Sequence, residues 1–114
     1  MNSSWKEVES GYVENTAIAA AATEQIVADT SRVTRGFNRL EILNNDAVAI
    51  KVILDGGDQT SGSSRVFQIP SKASFTLEPD EGIWFKQIVQ QNIDAAAAEV
   101  AGAITFRFAS CVRY

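Results

Sequence analysis

The residue type that would matter most for chemistry is missing. The 114-residue chain contains no histidine, which removes Ser-His-acid and Cys-His nucleophile systems, the common zinc and non-haem iron ligand sets and the ordinary proton shuttle near neutral pH. Catalysis would have to rest on carboxylates alone. Paired carboxylates cleave glycosidic bonds, but they need a cleft and a rigid frame that a chain of this size seldom provides beside a core. The sequence therefore reads as a non-enzyme without a cofactor. Asp46, Asp55 and Asp58 lie near turns and could offer oxygen ligands to a cation, yet Asp55-Gly56-Gly57-Asp58 lacks the ligand spacing and closing Glu of a calcium loop. Aspartate also favours turns for its own reasons, so no metal site is expected. Gly56, Gly57 and Gly62 are not followed by the Gly-Lys-Ser/Thr of a phosphate loop. Cys111 is the single cysteine. It allows no intrachain disulfide, has no base beside it, and alternates onto the polar side of the last strand.

What remains is contact chemistry. Arg32, Arg35 and Arg39 fall within eight residues, with Phe37 between them. Such a group can stack on and clamp single-stranded nucleic acid, or pair with carboxylates of a partner protein. The net charge of -4 and a pI near 4.7 favour the protein partner over nucleic acid. Residues 1–15 show no sustained period and read as an extended N-terminal arm, in which Trp5 and Tyr12 are costly to leave in water unless they make contacts. The Gly/Ser-rich segment Asp58 to Arg65 has no apolar anchor and should be an exposed loop. The expected protein-contact residues are therefore Trp5, Tyr12, Arg32, Arg35, Phe37, Ser61, Gly62, Ser63 and Ser64. A carbohydrate-binding sandwich is the alternative, with Trp84 beside Asp80 and Glu81 as its platform, although a lone tryptophan on an alternating strand usually packs inside.

These residues need elements to position them, and the sequence spells mostly strands. Val48, Ile50, Val52 and Leu54 share one side at period two, opposite Ala47, Ala49, Lys51 and Ile53, and the run stops at Asp55-Gly56-Gly57. Arg65 to Pro70 and Ser71 to Pro79 read as two more short strands closed by prolines. Gly82 to Ile93 resumes the pattern. In the last run Ile104, Phe106, Phe108 and Val112 point inward against Thr105, Arg107 and Cys111. Two segments are ambiguous: Thr16 to Thr23 lies between helix and strand, and Ala95 to Val100 forms a short helix by alanine propensity or a close-packed strand pair. The fold class is all-β, a small antiparallel β-sandwich or jelly-roll-like barrel, with room for one short helix near residues 94–101. The domain organisation is an arm, 1–15, followed by one sandwich domain, 16–114. No basic-then-apolar leader opens the chain and no run approaches the roughly 20 apolar residues of a membrane span, so no membrane contact is expected. Burial and chain ordering each come to about 170 kcal/mol for a chain of this length, so the monomer is marginal and association would stabilise it.

The order of these pieces resembles small β-rich structural proteins of tailed bacteriophages. The matching segments are ADTSR at Ala28 to Arg32, LEILNND at Leu40 to Asp46, IPSKASFTL at Ile69 to Leu77 and GIWF at Gly82 to Phe85. In IPSKASFTL, Ser71 and Lys72 replace the usual glycine. The resemblance implies a virion structural protein, foremost a capsid cement or decoration subunit that bridges its neighbours, with a neck or tail subunit as the alternative. It further implies a homo-oligomer, commonly a trimer, with major capsid or other virion proteins as partners, assembled into the virion in the host cytoplasm. Its motifs describe strands and turns and carry no catalytic residue.

Overall fold

The computed structural model describes residues 5–27, 36–55 and 64–113. Eight strands form among them: β1 (Trp5–Glu14), β2 (Thr23–Val27), β3 (Arg39–Asn44), β4 (Ile50–Asp55), β5 (Ser64–Ile69), β6 (Ala73–Leu77), β7 (Gln87–Asn92) and β8 (Ile104–Arg113). They make two four-stranded sheets, in the orders β1-β8-β3-β6 and β2-β7-β4-β5. Every pairing is antiparallel. The pairs β4–β5, β3–β6, β2–β7 and β1–β8 are nested like one long hairpin rolled upon itself, which is the connectivity of a jelly roll. The all-β sandwich read from the sequence is the fold observed.

The core lies between the sheets because period two sends alternate side chains there. Val48, Ile50, Val52 and Leu54 are all buried, as are Leu40 and Ile42 of β3, Ile88 of β7 and Ile104, Phe106 and Phe108 of β8. Phe37 stacks against Phe85 and Phe108, with ring centroids 5.7 and 4.8 Å away. Gly11, paired with Phe108 across β1–β8, leaves room for that ring: a Cβ there would lie 2.4 Å from its Cζ. Gly36 adopts φ +91° and brings its backbone against the Phe85 carbonyl, where a Cβ would sit 2.5 Å from the oxygen.

Three segments differ from the expectations or settle them. Trp5–Glu14 of the N-terminal segment is a full strand at the edge of the first sheet, in register with β8 from Trp5↔Arg113 to Glu14↔Thr105. Residues 93–103 form neither a helix nor a strand. Asn92, Asp94 and Asn15 draw the backbone there into hydrogen bonds with side chains, including Asn92 Nδ2 to the Ala97 carbonyl (2.8 Å) and Asp94 Oδ1 accepting from the amides of Ala96 and Ala97 (2.8 and 3.0 Å). Local polar partners thus outcompete alanine propensity. Residues 15–22 form a loop, with Thr16 inside it, and the strand begins only at Thr23. The short helix that does form is a 3-10 turn at Pro79–Glu81.

Candidate functional site

Among the described residues no three His, Cys, Asp or Glu side chains converge as a metal-holding group. Asp46 is buried and already occupied, its Oδ1 accepting from the Ala47 amide (2.6 Å) and its Oδ2 from the Val100 amide (2.6 Å). The candidate features are surfaces, namely the outer faces of the two sheets and their lateral edges.

The outer face of the first sheet is charged. Register aligns Tyr12, Arg107, Glu41 and Thr76 in one row across β1, β8, β3 and β6, and Ser10, Ala109 and Arg39 in the next. A shallow groove of about 420 Å³ opens over these rows and is also lined by Glu7 and Glu78. Its charges answer one another: Arg39 lies 3.6 Å from Glu7 and 3.7 Å from Glu78, while the Arg107 guanidinium sits 4.9 Å from the Tyr12 ring centre. The Tyr12 hydroxyl donates to Glu14 (3.0 Å), which pushes the phenol up because only the neutral form can donate. Cys111 is fully buried. Burial raises its thiol, Arg39 lowers it, and Glu7 and Glu78 oppose Arg39. The alternation expected Cys111 on the polar side of β8; the fold pairs it with Glu7 of β1 and buries it all the same.

The outer face of the second sheet is different in kind. Gln25, Val89, Ile53 and Val66 line up across β2, β7, β4 and β5, and Val66 is 56% exposed. Above and below that apolar row lie Thr23, Gln91, Lys51 and Gln68 on one side and Gln87 and Asp55 on the other.

The lateral edges also differ. β1 and β2 each carry a register irregularity, at Glu7/Glu9 and Gln25/Val27, and Val8 at the first is 56% exposed. β5 and β6, joined by the short Pro70–Lys72 connection, pair without irregularity. The β1/β2 side holds Glu7, Glu9, Glu14 and Glu24 against Lys6, whereas the β5/β6 strands and their connection hold Arg65 and Lys72.

Of the residues expected to make contacts, those that the structure describes fall in different places. Trp5 is half-buried; its indole N–H donates to Asp80 (2.6 Å) and its ring lies under Arg113 at 4.7 Å, so it latches the start of β1 to the Pro79–Glu81 turn. Tyr12 is exposed on the charged face. Phe37 is 4% exposed and is a core residue as placed, because its bridge to Phe85 turns the ring inward. Arg32, Arg35, Ser61, Gly62 and Ser63 lie outside the described residues, and Ser64 opens β5. Trp84 is half-buried.

Sequence reasoning missed the polar cluster at one end of the sandwich. Glu99 is 3% exposed; its carboxylate accepts from Asn15 Nδ2 (2.9 Å) and from Gln90 Nε2, while Gln90 Oε1 has no partner. Burial raises the Glu99 carboxyl above its ordinary range and the two amide donors pull it back. The signal was present in part: Asn44, Gln90 and Asn92 occupy inward positions of β3 and β7 where the pattern calls for apolar residues.

The chain matches no protein-family model and no curated protein. Its fold is similar to a solved structure of Bacillus endospore appendages, which form a novel family of disulfide-linked pili, with a TM-score of 0.54, 18% identity, and coverage of 96% of this chain and 92% of that one. This likeness concerns the fold. It corrects the virion, capsid and bacteriophage description and the location in a viral particle, since the matching structure is that of a Bacillus endospore appendage. Among the described residues no helix is long and apolar enough to cross a membrane.

Proposed function

We propose that the chain is a structural subunit that self-associates into an extracellular appendage or filament. The carrying observation is that the likeness to the pilus structure spans nearly the whole of both chains, so the shared fold takes in almost all of each. The edges support the same reading. Regular edge strands present unspent N–H and C=O groups that template pairing, whereas bulged ones resist it. The side of β5 and β6 is regular and carries Arg65 and Lys72; the side of β1 and β2 is bulged and carries Glu7, Glu9, Glu14 and Glu24. Two different sides of complementary charge meet head to tail, and such contacts grow as open filaments unless the rotation closes a ring.

Disulfide linkage does not carry over to this chain. Joining each subunit to two neighbours takes at least two thiols, and the single Cys111 is buried. Assembly here is noncovalent, strengthened by repetition along the array. Electron microscopy and light scattering of the purified chain, with and without a thiol reductant, test this. Extended assemblies insensitive to reductant and weakened in Glu9→Lys/Glu14→Lys are expected; a chain that stays monomeric at high concentration, or assemblies that dissolve in reductant, would sink the proposal.

A further inference from the structure

The outer face of the second sheet has a symmetry of its own, independent of the edges. Ile53 sits at the middle of β4 in the apolar row, and Lys51 and Asp55 lie two residues to either side of it, pointing outward between the buried Ile50, Val52 and Leu54. Each is about 7 Å from Ile53 along the strand. Neither takes part in an ion pair among the described residues. Gln91 and Gln87 flank Val89 in the same way on β7.

We infer that this face docks against the same face of a second copy, about a two-fold axis running along the Gln25–Val89–Ile53–Val66 row. Rotation about that axis reverses the strand direction and keeps the strand order. It lays Val66, Ile53 and Val89 on their own counterparts, sets each Lys51 opposite the other copy's Asp55, and brings Gln91 opposite Gln87, where amides can exchange hydrogen bonds. An axis along the strands would instead set Lys51 on Lys51 where it runs through β4, or on Gln91 where it runs between β4 and β7, and in neither case opposite Asp55. Charge complementarity therefore selects both the partner, a second copy, and the orientation. Three rows across four strands cover about 400 Å² per copy, well below the roughly 800 Å² per partner of a standard stable interface. The contact is weak between free subunits and gains strength where an array holds many copies together.

Short bismaleimide crosslinking of the full chain carrying Val66→Cys reads this contact directly, with Leu43→Cys, 50% exposed on the other outer face, as control. Covalent dimers are expected about tenfold faster at position 66 than at position 43. In the Val66→Cys background, Lys51→Glu alone leaves two acids on the face and Asp55→Lys alone leaves two lysines, so each should lower dimer yield about tenfold. Mixing the two variants should restore it, because one copy is then all acidic and the other all basic. Equal crosslinking at 43 and 66, no effect of the single charge variants, or no restoration on mixing would each overturn the inference. Glu9→Lys/Glu14→Lys, which weakens edge-mediated assembly, should leave the free-subunit crosslink unchanged; loss of filaments with retention of the crosslink thus separates failure of one proposal from failure of the other.

Discussion

The two outer faces arise from the same period-two alternation and end up with opposite characters. On the first sheet most charged side chains have a partner: Arg39 lies between Glu7 and Glu78, Arg107 over the Tyr12 ring, and Tyr12 donates to Glu14, while Glu41 has no ion pair among the described residues. On the second, a row of valine and isoleucine lies among amides, with one lysine and one aspartate that find no ion-pair partner among the described residues. A face whose charges are satisfied internally has little to gain from a partner, since docking would desolvate ion pairs worth only about 0–1 kcal/mol each. An apolar row with separated charges gains from burial on both counts. Charge count therefore says less about an interface than whether the charges are already used.

The comparison can be broken at several places. The largest effect is expected beneath the charged face, at Gly11→Val, where the added carbons would run into the Phe108 ring. A loss of about 1–3 kcal/mol in urea unfolding is expected; a neutral result would mean that the groove is not set by the core packing below it. Next comes the end of the sandwich where Glu99 ties Asn15, at the foot of the first sheet, to Gln90 of the second. Its native pKa is raised, so the neutral acid is favoured in the fold. Its contribution to stability is present at low pH and lost as pH rises from the ordinary value of 4.5 through the raised native value. Glu99→Gln should remove that loss, flattening the melting temperature against pH over this window. Asp94, whose pKa is lowered by the amides of Ala96 and Ala97, gives the opposite sign: its contribution is present above the ordinary aspartate value and lost as pH falls, and Asp94→Asn should abolish that acid-side loss. Identical pH profiles for the two variants would contradict both assignments.

Smaller changes sharpen the contrast. Arg39→Gln removes two loose ion pairs and should cost no more than about 1 kcal/mol, and it removes the charge that holds the Cys111 thiol down, so thiol alkylation of the folded protein should slow. An unchanged alkylation rate would show that Arg39 does not act on the thiol. Val66→Lys, on an already exposed position, should shift stability by less than about 0.5 kcal/mol while suppressing contact between copies. A comparable loss of self-association in Arg39→Gln would erase the distinction between the faces.

Much of the architecture was legible in the residues. The Val48, Ile50, Val52, Leu54 run and the Ile104, Phe106, Phe108 run named their buried sides correctly, because alternation is a local property of an extended chain. Phe37 shows where that stops. Beside three arginines it reads as a contact residue, and only the bridge to Phe85, 48 residues on, turns it into the core. Ala95 to Val100 shows the same limit, since propensity counts residues one at a time and could not anticipate Asn92, Asp94 and Asp46 claiming its backbone amides and carbonyls. The candidate contact face was less legible still: Gln25, Val89, Ile53 and Val66 come from four strands and become a row only through register.

By itself the sequence determined the strand alternation, the sandwich class, the acidic balance and, through the missing histidine and the single cysteine, the chemistry that is out of reach. Those are properties of residue type and near-neighbour spacing. Which charges neutralise one another, which thiol is covered and which apolar side chains form a continuous row were decided only by the tertiary structure, because each depends on how strands distant in sequence are set side by side, and hydrogen-bond register, not sequence proximity, sets that distance.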